Sequence, residues 1–118
     1  MLAARNRLRS SKEIRTVLKQ GACFSGNYMR LCASPSAGGD FRVACVVGKT
    51  VSPLAVRRHR YQRVLREAVK NVVAQNSSNK PFDVVLIAFP SIVNAKNLEA
   101  IENELNELML KYNKFNEK

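Results

Sequence analysis

The sequence predicts an α/β (α+β) two-layer sandwich, a mixed β-sheet packed by helices in the order α-β-β-β-α-β-α. Three observations carry that prediction. Two short apolar runs, 41–47 and 82–89, are bounded by Gly and Pro and read as strands. Two longer stretches, about 54–74 and 98–112, repeat apolar residues every three or four positions and read as helices. Strand and helix alternate through the second half, and one sheet covered by helices is the simplest way to bury both patterns. At 118 residues, 46% of them hydrophobic and 25% charged, the chain is sized for a single domain over 1–118.

The elements follow in order. Residues 1–9 form a basic arm carrying Arg5, Arg7 and Arg9. Ser10 with Glu13 three positions on reads as a capping box. Ile14, Val17 and Leu18 then recur at helical spacing until Gly21 stops the helix. Residues 22–33 alternate weakly and read as one strand, or two separated by a kink at Gly26-Asn27. Ser34 to Asp40, with Pro35, Gly38 and Gly39, reads as a hairpin loop. Phe41 to Val47 is nearly continuous in apolar residues, so burial on both faces is expected. On the helix from about Leu54 to Ala74, Tyr61, Val64, Leu65, Ala68, Val69, Val72 and Val73 fall on one side. Arg60, Arg63, Arg66 and Lys70 fall on the other, and Arg57 and Arg58 sit at its start. Pro81 precedes the strand Phe82 to Phe89, and Pro90 ends it. Asn97 caps a last helix whose Leu98, Ile101, Leu105, Leu108, Met109 and Tyr112 read as core. Residues 115–118 are left as a tail.

The charge is uneven. Residues 1–70 hold 15 Lys and Arg against 3 acids, whereas 71–118 hold 5 against 6. The whole excess therefore sits in the first part of the chain, which points to a polyanionic partner. Anionic lipid fits less well, because the chain has no Trp, no lipidation motif and no apolar run of membrane-spanning length. A helix-turn-helix DNA reader needs a second helix a short turn before the basic one, and none is expected there. A stand-alone metal nuclease needs clustered carboxylates, yet Glu13, Asp40 and Glu67 are the only acids before residue 71. Cys23, Cys32 and Cys45 are odd in number and lack C-x-x-C spacing. Free, mostly buried thiols in a reducing, cytoplasmic setting are therefore expected, with no disulfide framework or zinc site.

The densest chemistry lies in residues 49–67, where Arg57, Arg58, Arg60, Arg63 and Arg66 crowd the opening turns of the long helix. Guanidinium groups hold a rigid fork of donors matched to phosphate oxygens and stay charged at physiological pH. The lone His59 beside them reads as an RNA-contacting or capping side chain, and Glu67 as a group that orients an arginine one turn away.

With those residues in view, the chain resembles the protein subunit of bacterial ribonuclease P over nearly its whole length. The resemblance rests on several segments. These are the arm Arg5-Asn6-Arg7-Leu8-Arg9, the helix Glu13 to Gly21, the pair Gly48-Lys49, and the run Arg58 to Glu67. That run matches the family's arginine-rich signature at Arg58, Arg60, Arg63, Arg66 and Glu67. Asp83 to Ala88 and Leu98 to Tyr112 complete it. The chain departs from the pattern at His59, which stands for asparagine, and at Gln62, which stands for lysine. It departs again in the Thr50 to Ala55 loop, which is one residue longer, with Pro53 for glycine. Ile14, Leu18 and Cys32 occupy places where the family tends to carry aromatics.

The resemblance implies a ribosomal-protein-like fold with a left-handed βαβ crossover. It implies a non-catalytic protein that binds the catalytic RNA, one protein per RNA, and helps it remove the 5′ leader of precursor tRNA. Mg²⁺ is expected on the RNA subunit, with no metal held by the protein. Lys49, Arg57, Arg58, His59, Arg60, Arg63 and Arg66 would bind the RNA subunit. Ile14, Leu18, Tyr28, Arg30 and Cys32 would form a leader cleft, with core packing the competing account of Ile14 and Leu18. The alternative is a general structured-RNA-binding or ribosomal protein with no catalytic association. It explains the charge but not the signature spacing.

Overall fold

The first helix begins where a serine can satisfy its open end. In the computed structural model, which describes residues 7, 8, 10–35, 41–75 and 82–116, Ser10 is extended and its hydroxyl accepts the Glu13 N–H at 3.5 Å. Helix α1 spans Ser11–Gln20, and the Gly21 N–H closes it on the Val17 carbonyl at 2.8 Å. Space demands glycine here, since a Cβ would stand 2.5 Å from the Val17 oxygen and 2.6 Å from the Ala33 oxygen. The Glu13 carboxylate does not serve the helix end. It turns to Arg42.

Strand β1 is Ala22–Ser25, β2 Met29–Pro35, β3 Arg42–Val46 and β4 Phe82–Ala88. They form one sheet in the order β1-β2-β4-β3. β1 and β2 are antiparallel, β2 and β4 antiparallel, and β3 and β4 parallel. The sheet is thus mixed, as expected, and residues 22–33 do break into two strands around Gly26-Asn27.

One expectation is corrected and another is met only in part. The segment Ser34 to Asp40 does not close a hairpin, because β2 and β3 never pair and β4 lies between them. Residues 36–40 themselves lie outside the described residues. β4 wins the central place because Val84, Val85 and Leu86 are all buried, which needs cover on both faces and partners on both edges. β3 is buried on both faces at Val43 and Ala44, as expected, but its edge position opens its end, where Val46 is 39% exposed.

Helix α2, Ala55–Gln75, links the parallel strands β3 and β4. A 3-10 turn over Pro90–Asn94 then leads to α3, Leu98–Asn116, which runs into the segment expected as a tail. Asn97 caps α3, its Oδ1 accepting the Ala100 N–H at 2.9 Å. No helix among the described residues is long and apolar enough to cross a membrane.

The strand period of two divides the core. Met29, Leu31, Ala33, Val43, Val84 and Leu86 join α2 and α3 residues such as Leu65, Val72, Ile101, Leu105 and Leu108 in the main cluster. The alternate residues Cys32, Ala44 and Val85 meet Leu8 and Val17 in a smaller one, with Ile14, Cys23 and Ile87 at its margin. The sheet therefore carries the long helices on one face and the short α1 with the arm on the other. Leu8 reaches this layer because its N–H bonds the Val43 carbonyl at 2.9 Å and Arg7 forms a parallel bridge with Val43. Arg5, Asn6 and Arg9 of the arm lie outside the described residues.

Polar ties cross the layers. Arg42 holds Asp83 through two nitrogens, at 3.0 and 2.9 Å, and reaches Glu13 on α1 with a third. Those carboxylates keep the Arg42 guanidinium charged and push its pKa further up, the Asp83 hydrogen bond most of all. Glu104 on α3 is buried, and its carboxylate accepts the Asn27 N–H and, at 2.8 Å, the Tyr28 N–H. Gly26 lets it approach, since a Cβ there would stand 2.5 Å from the Glu104 carboxyl carbon.

The expectation of free thiols with no disulfide is overturned in part. Cys23 and Cys32 are bonded, while Cys45 is free. Neither spacing nor an odd cysteine count reveals this pairing. It follows from the β1–β2 register, which sets Cys23 directly opposite Cys32.

Candidate nucleic-acid interface

Helix α2 is anchored along the stripe its periodicity marks. Leu65, Ala68, Val69 and Val72 are buried, and Tyr61 and Val64 pack half-buried against the same cluster. Tyr61 is thereby a core residue and not an open stacking platform. The Val73 side chain lies outside the described residues. With that face fixed, Arg57, His59, Arg60, Arg63 and Lys70 are exposed, and Arg58 and Arg66 are half-buried. Arg57 and Arg63 are six residues apart, about 9 Å along the axis. The basic groups thus form a ladder on a helix that cannot roll. No acid stands in the first turn of α2, so the positive end of its dipole adds to them.

Two arginines also have work within the fold. One Arg58 nitrogen donates to the carbonyls of Ser52, at 3.1 Å, and Pro53, at 2.9 Å. It ties the helix start to the loop before it, where the buried Ser52 hydroxyl accepts the Leu54 N–H at 3.2 Å. Arg66 lies close enough to Cys45 to draw its thiol pKa down, against a larger upward push from burial that leaves it at about 12. Lys49 is exposed in the turn between β3 and α2. β3 and β4 are parallel, so α2 must start beyond the end of β3 and run back along the sheet. Lys49 and the arginines of the first turns therefore share the end of the sheet where β3 and β4 finish.

Of the five residues expected in a leader cleft, Ile14, Leu18, Arg30 and Cys32 lie on the α1 side of the sheet, and Tyr28 does not. Ile14 and the buried, disulfide-bonded Cys32 belong to the layer beneath α1. Leu18 is 38% exposed on α1, and Arg30 is exposed on the α1-facing side of β2. Tyr28 packs against the main cluster with Phe24, toward the long helices. The chain's two candidate stacking rings thus lie away from α1. On the α1 side the last row of the sheet holds Ser25, Arg30, Ile87 and Val46 as register partners; Ser25, Arg30 and Val46 are exposed, and Ile87 is half-buried against the α1 layer. Val46 and Ile87 were hidden from sequence reasoning because both sit inside apolar runs. Only strand order shows that they share this row and that α1 covers it only in part.

Among the described residues no three of His, Cys, Asp and Glu gather as metal ligands. Asp83 and Glu13 are engaged by Arg42, and Glu104 by backbone N–H groups.

The family model described as Ribonuclease P matches residues 2–113. The chain belongs to the ribonuclease P protein family. A ribonuclease P protein component from Mycobacterium bovis is 37% identical over 92 residues, covering 77% of this chain and 76% of that one. One from Brevibacillus brevis is 34% identical over 107 residues, covering 88% and 80%. The fold agrees with that of the RNase P protein from Thermotoga maritima, with a TM-score of 0.73 at 22% identity over 86% of this chain and 94% of that one. The mixed four-stranded sheet with its helices is the arrangement of a bacterial ribonuclease P protein. The Arg58–Glu67 signature lies inside the matched region, with its Arg60, Arg63 and Glu67 exposed on α2.

Proposed function

We propose that the chain is the protein subunit of a ribonuclease P holoenzyme, which removes the 5′ leader of precursor tRNA. The observation that carries the reading is the arginine ladder of α2, held outward by a buried apolar stripe in a chain of this family. In this reading Lys49, Arg57, Arg60 and Arg63 grip phosphates of the catalytic RNA, with Arg58, His59 and Arg66 beside them. Mg²⁺ belongs to the RNA, where it supplies the charge stabilisation and activated water of phosphodiester cleavage. The protein adds positive charge, which lowers the Mg²⁺ needed to hold the RNA and its substrate together.

The leader would cross the partly open row beside α1, where Arg30 supplies charge and Leu18, Val46 and the exposed part of Ile87 supply apolar contact. This revises the expected cleft. Ile14 and Cys32 shape it from beneath, and Tyr28 serves the main core. Without an exposed ring there, leader binding rests on charge and apolar area more than on stacking. The cytoplasm, where precursor tRNA is made in bacteria, is the location this role implies.

The test is precursor-tRNA cleavage by a bacterial ribonuclease P RNA at low Mg²⁺, with and without the protein. Rescue that is abolished by Arg60→Ala combined with Arg63→Ala is the expected result. No rescue, alongside tight binding to many unrelated RNAs, would replace this reading with a general structured-RNA binder.

A further inference from the structure

A groove of about 370 Å³ opens between the outer side of α2 and the start of α3. Arg63, Val64, Arg66 and Glu67 line one wall, and Leu98 lines the other. Val64 and Leu98 are half-buried and packed on the main cluster, so the floor is the firm edge of the core. The volume sits at the small end of the range for small-molecule sites, about 300–1,000 Å³. Three charged side chains stand on an otherwise apolar hollow, two cationic and one anionic.

We infer that this groove receives a single unstacked nucleobase of the RNA partner. The inference rests on the reading that α2 binds a structured RNA, and it adds where one base of that RNA goes. The apolar walls match the faces of a base. The guanidinium groups of Arg63 and Arg66 can lie flat on a base or hold the phosphates that flank it. Charge complementarity favours this occupant. A peptide helix would need an apolar ridge with acidic side chains placed for both arginines, whereas any extruded nucleotide brings the base and its phosphates together. Glu67 adds selection. A carboxylate at the rim accepts hydrogen bonds, so it favours the amino groups of adenine, guanine or cytosine over uracil, whose one ring N–H donor lies between two carbonyl acceptors that repel the carboxylate. The groove also continues the ladder, since Arg63 belongs to both.

The experiment uses the full chain with a bacterial ribonuclease P RNA. The RNA is probed with a 2′-hydroxyl acylating reagent and with a reagent that modifies the pairing edge of unpaired bases. The native protein is expected to leave one nucleotide reactive at its 2′-hydroxyl but shielded at its base edge. Leu98→Trp fills the groove without changing charge. It should remove that shielding and weaken RNA binding about tenfold, while the salt dependence of binding stays unchanged. Glu67→Gln leaves the fold's apolar contacts intact and should reduce the shielding at the same nucleotide. Melting curves confirm that both variants are folded.

An unchanged footprint and affinity in Leu98→Trp, with native rescue of cleavage intact, would overturn the inference and leave the proposed function standing. So would a groove whose filling disturbs only the binding of another protein. Absence of cleavage rescue by the native chain would instead count against the proposed function.

Discussion

Replacing Arg58 and Arg60 separately should split two properties that a basic helix usually mixes. Arg60 is exposed on α2, while one Arg58 nitrogen is bonded to the Ser52 and Pro53 carbonyls. Removing Arg60 should leave stability within about 0.5 kcal/mol of the native chain. Removing Arg58 frees two carbonyls at the start of α2 and should cost about 1–2 kcal/mol. At roughly 2.1 cal/mol/K of unfolding entropy per residue, that lowers Tm by about 4–8 °C. Binding behaves differently. If five or six side chains meet phosphates, the log–log salt slope is roughly −4 to −5, and raising salt from 50 to 200 mM weakens binding on the order of 250- to 1,000-fold. Arg60→Ala or Arg63→Ala should each flatten that slope by about 1. The assay is a filter-binding or anisotropy titration of the RNA at four salt concentrations, paired with a thermal melt of each variant. Equal melting temperatures for Arg58→Ala and Arg60→Ala would refute the structural role of Arg58. A native slope shallower than about −2 would refute the ladder.

Three further outcomes are expected. Glu104→Ala leaves the Asn27 and Tyr28 N–H groups without their buried acceptor. It should cost about 2–4 kcal/mol in a urea unfolding titration, and a loss below 0.5 kcal/mol would show that the tie to α3 is idle. Reducing the Cys23–Cys32 bond with a dithiol, or replacing both residues by serine, should lower stability by about 2–3 kcal/mol for a sequence separation of 9. An unchanged midpoint under reducing conditions would count against that bond. The Cys45 thiol is pushed up to about 12 by burial, so its proton is held more tightly in the folded state than in the unfolded chain. Its contribution to stability is complete below about pH 9 and is lost as pH rises toward 12. Alkylation of native Cys45 at pH 8 should therefore be far slower than in denaturant, and equal rates would contradict the burial.

Much of the fold was written in local patterns. Ser10 and Asn97 announced helix starts, because a cap needs only a few neighbouring residues. The stripe from Tyr61 to Val72 revealed the buried side of α2, because helical period is local too. Strand neighbours are not local. The runs 41–47 and 82–89 look alike in sequence, and only three-dimensional competition gives β4 the centre and β3 the edge. That one exchange moved Val46 to the surface and cancelled the hairpin expected over Ser34 to Asp40. It also left the end row of Ser25, Arg30, Ile87 and Val46 only partly covered. The disulfide escaped for the same reason, since its partners meet through register. The arginines of α2 were legible as a site, but the inward bonds of Arg58 depend on the path of the Ser52-Pro53 loop, which composition does not encode.

The strand order has a consequence for how the chain comes into being. Most of its positive charge, with β1, β2 and β3, is synthesised before the strand that joins β2 to β3 exists. Until residues 82–88 are made, β3 has no principal neighbour and β2 has only β1. Sheet closure waits on pairings across long stretches of chain, which are slow to form and leave edges open meanwhile. A fragment that stops after α2 would hold the whole arginine ladder but only the β1–β2 pair of the sheet that displays it. The basic surface thus acquires its shape late, once the last third of the protein has been threaded into the middle of the first.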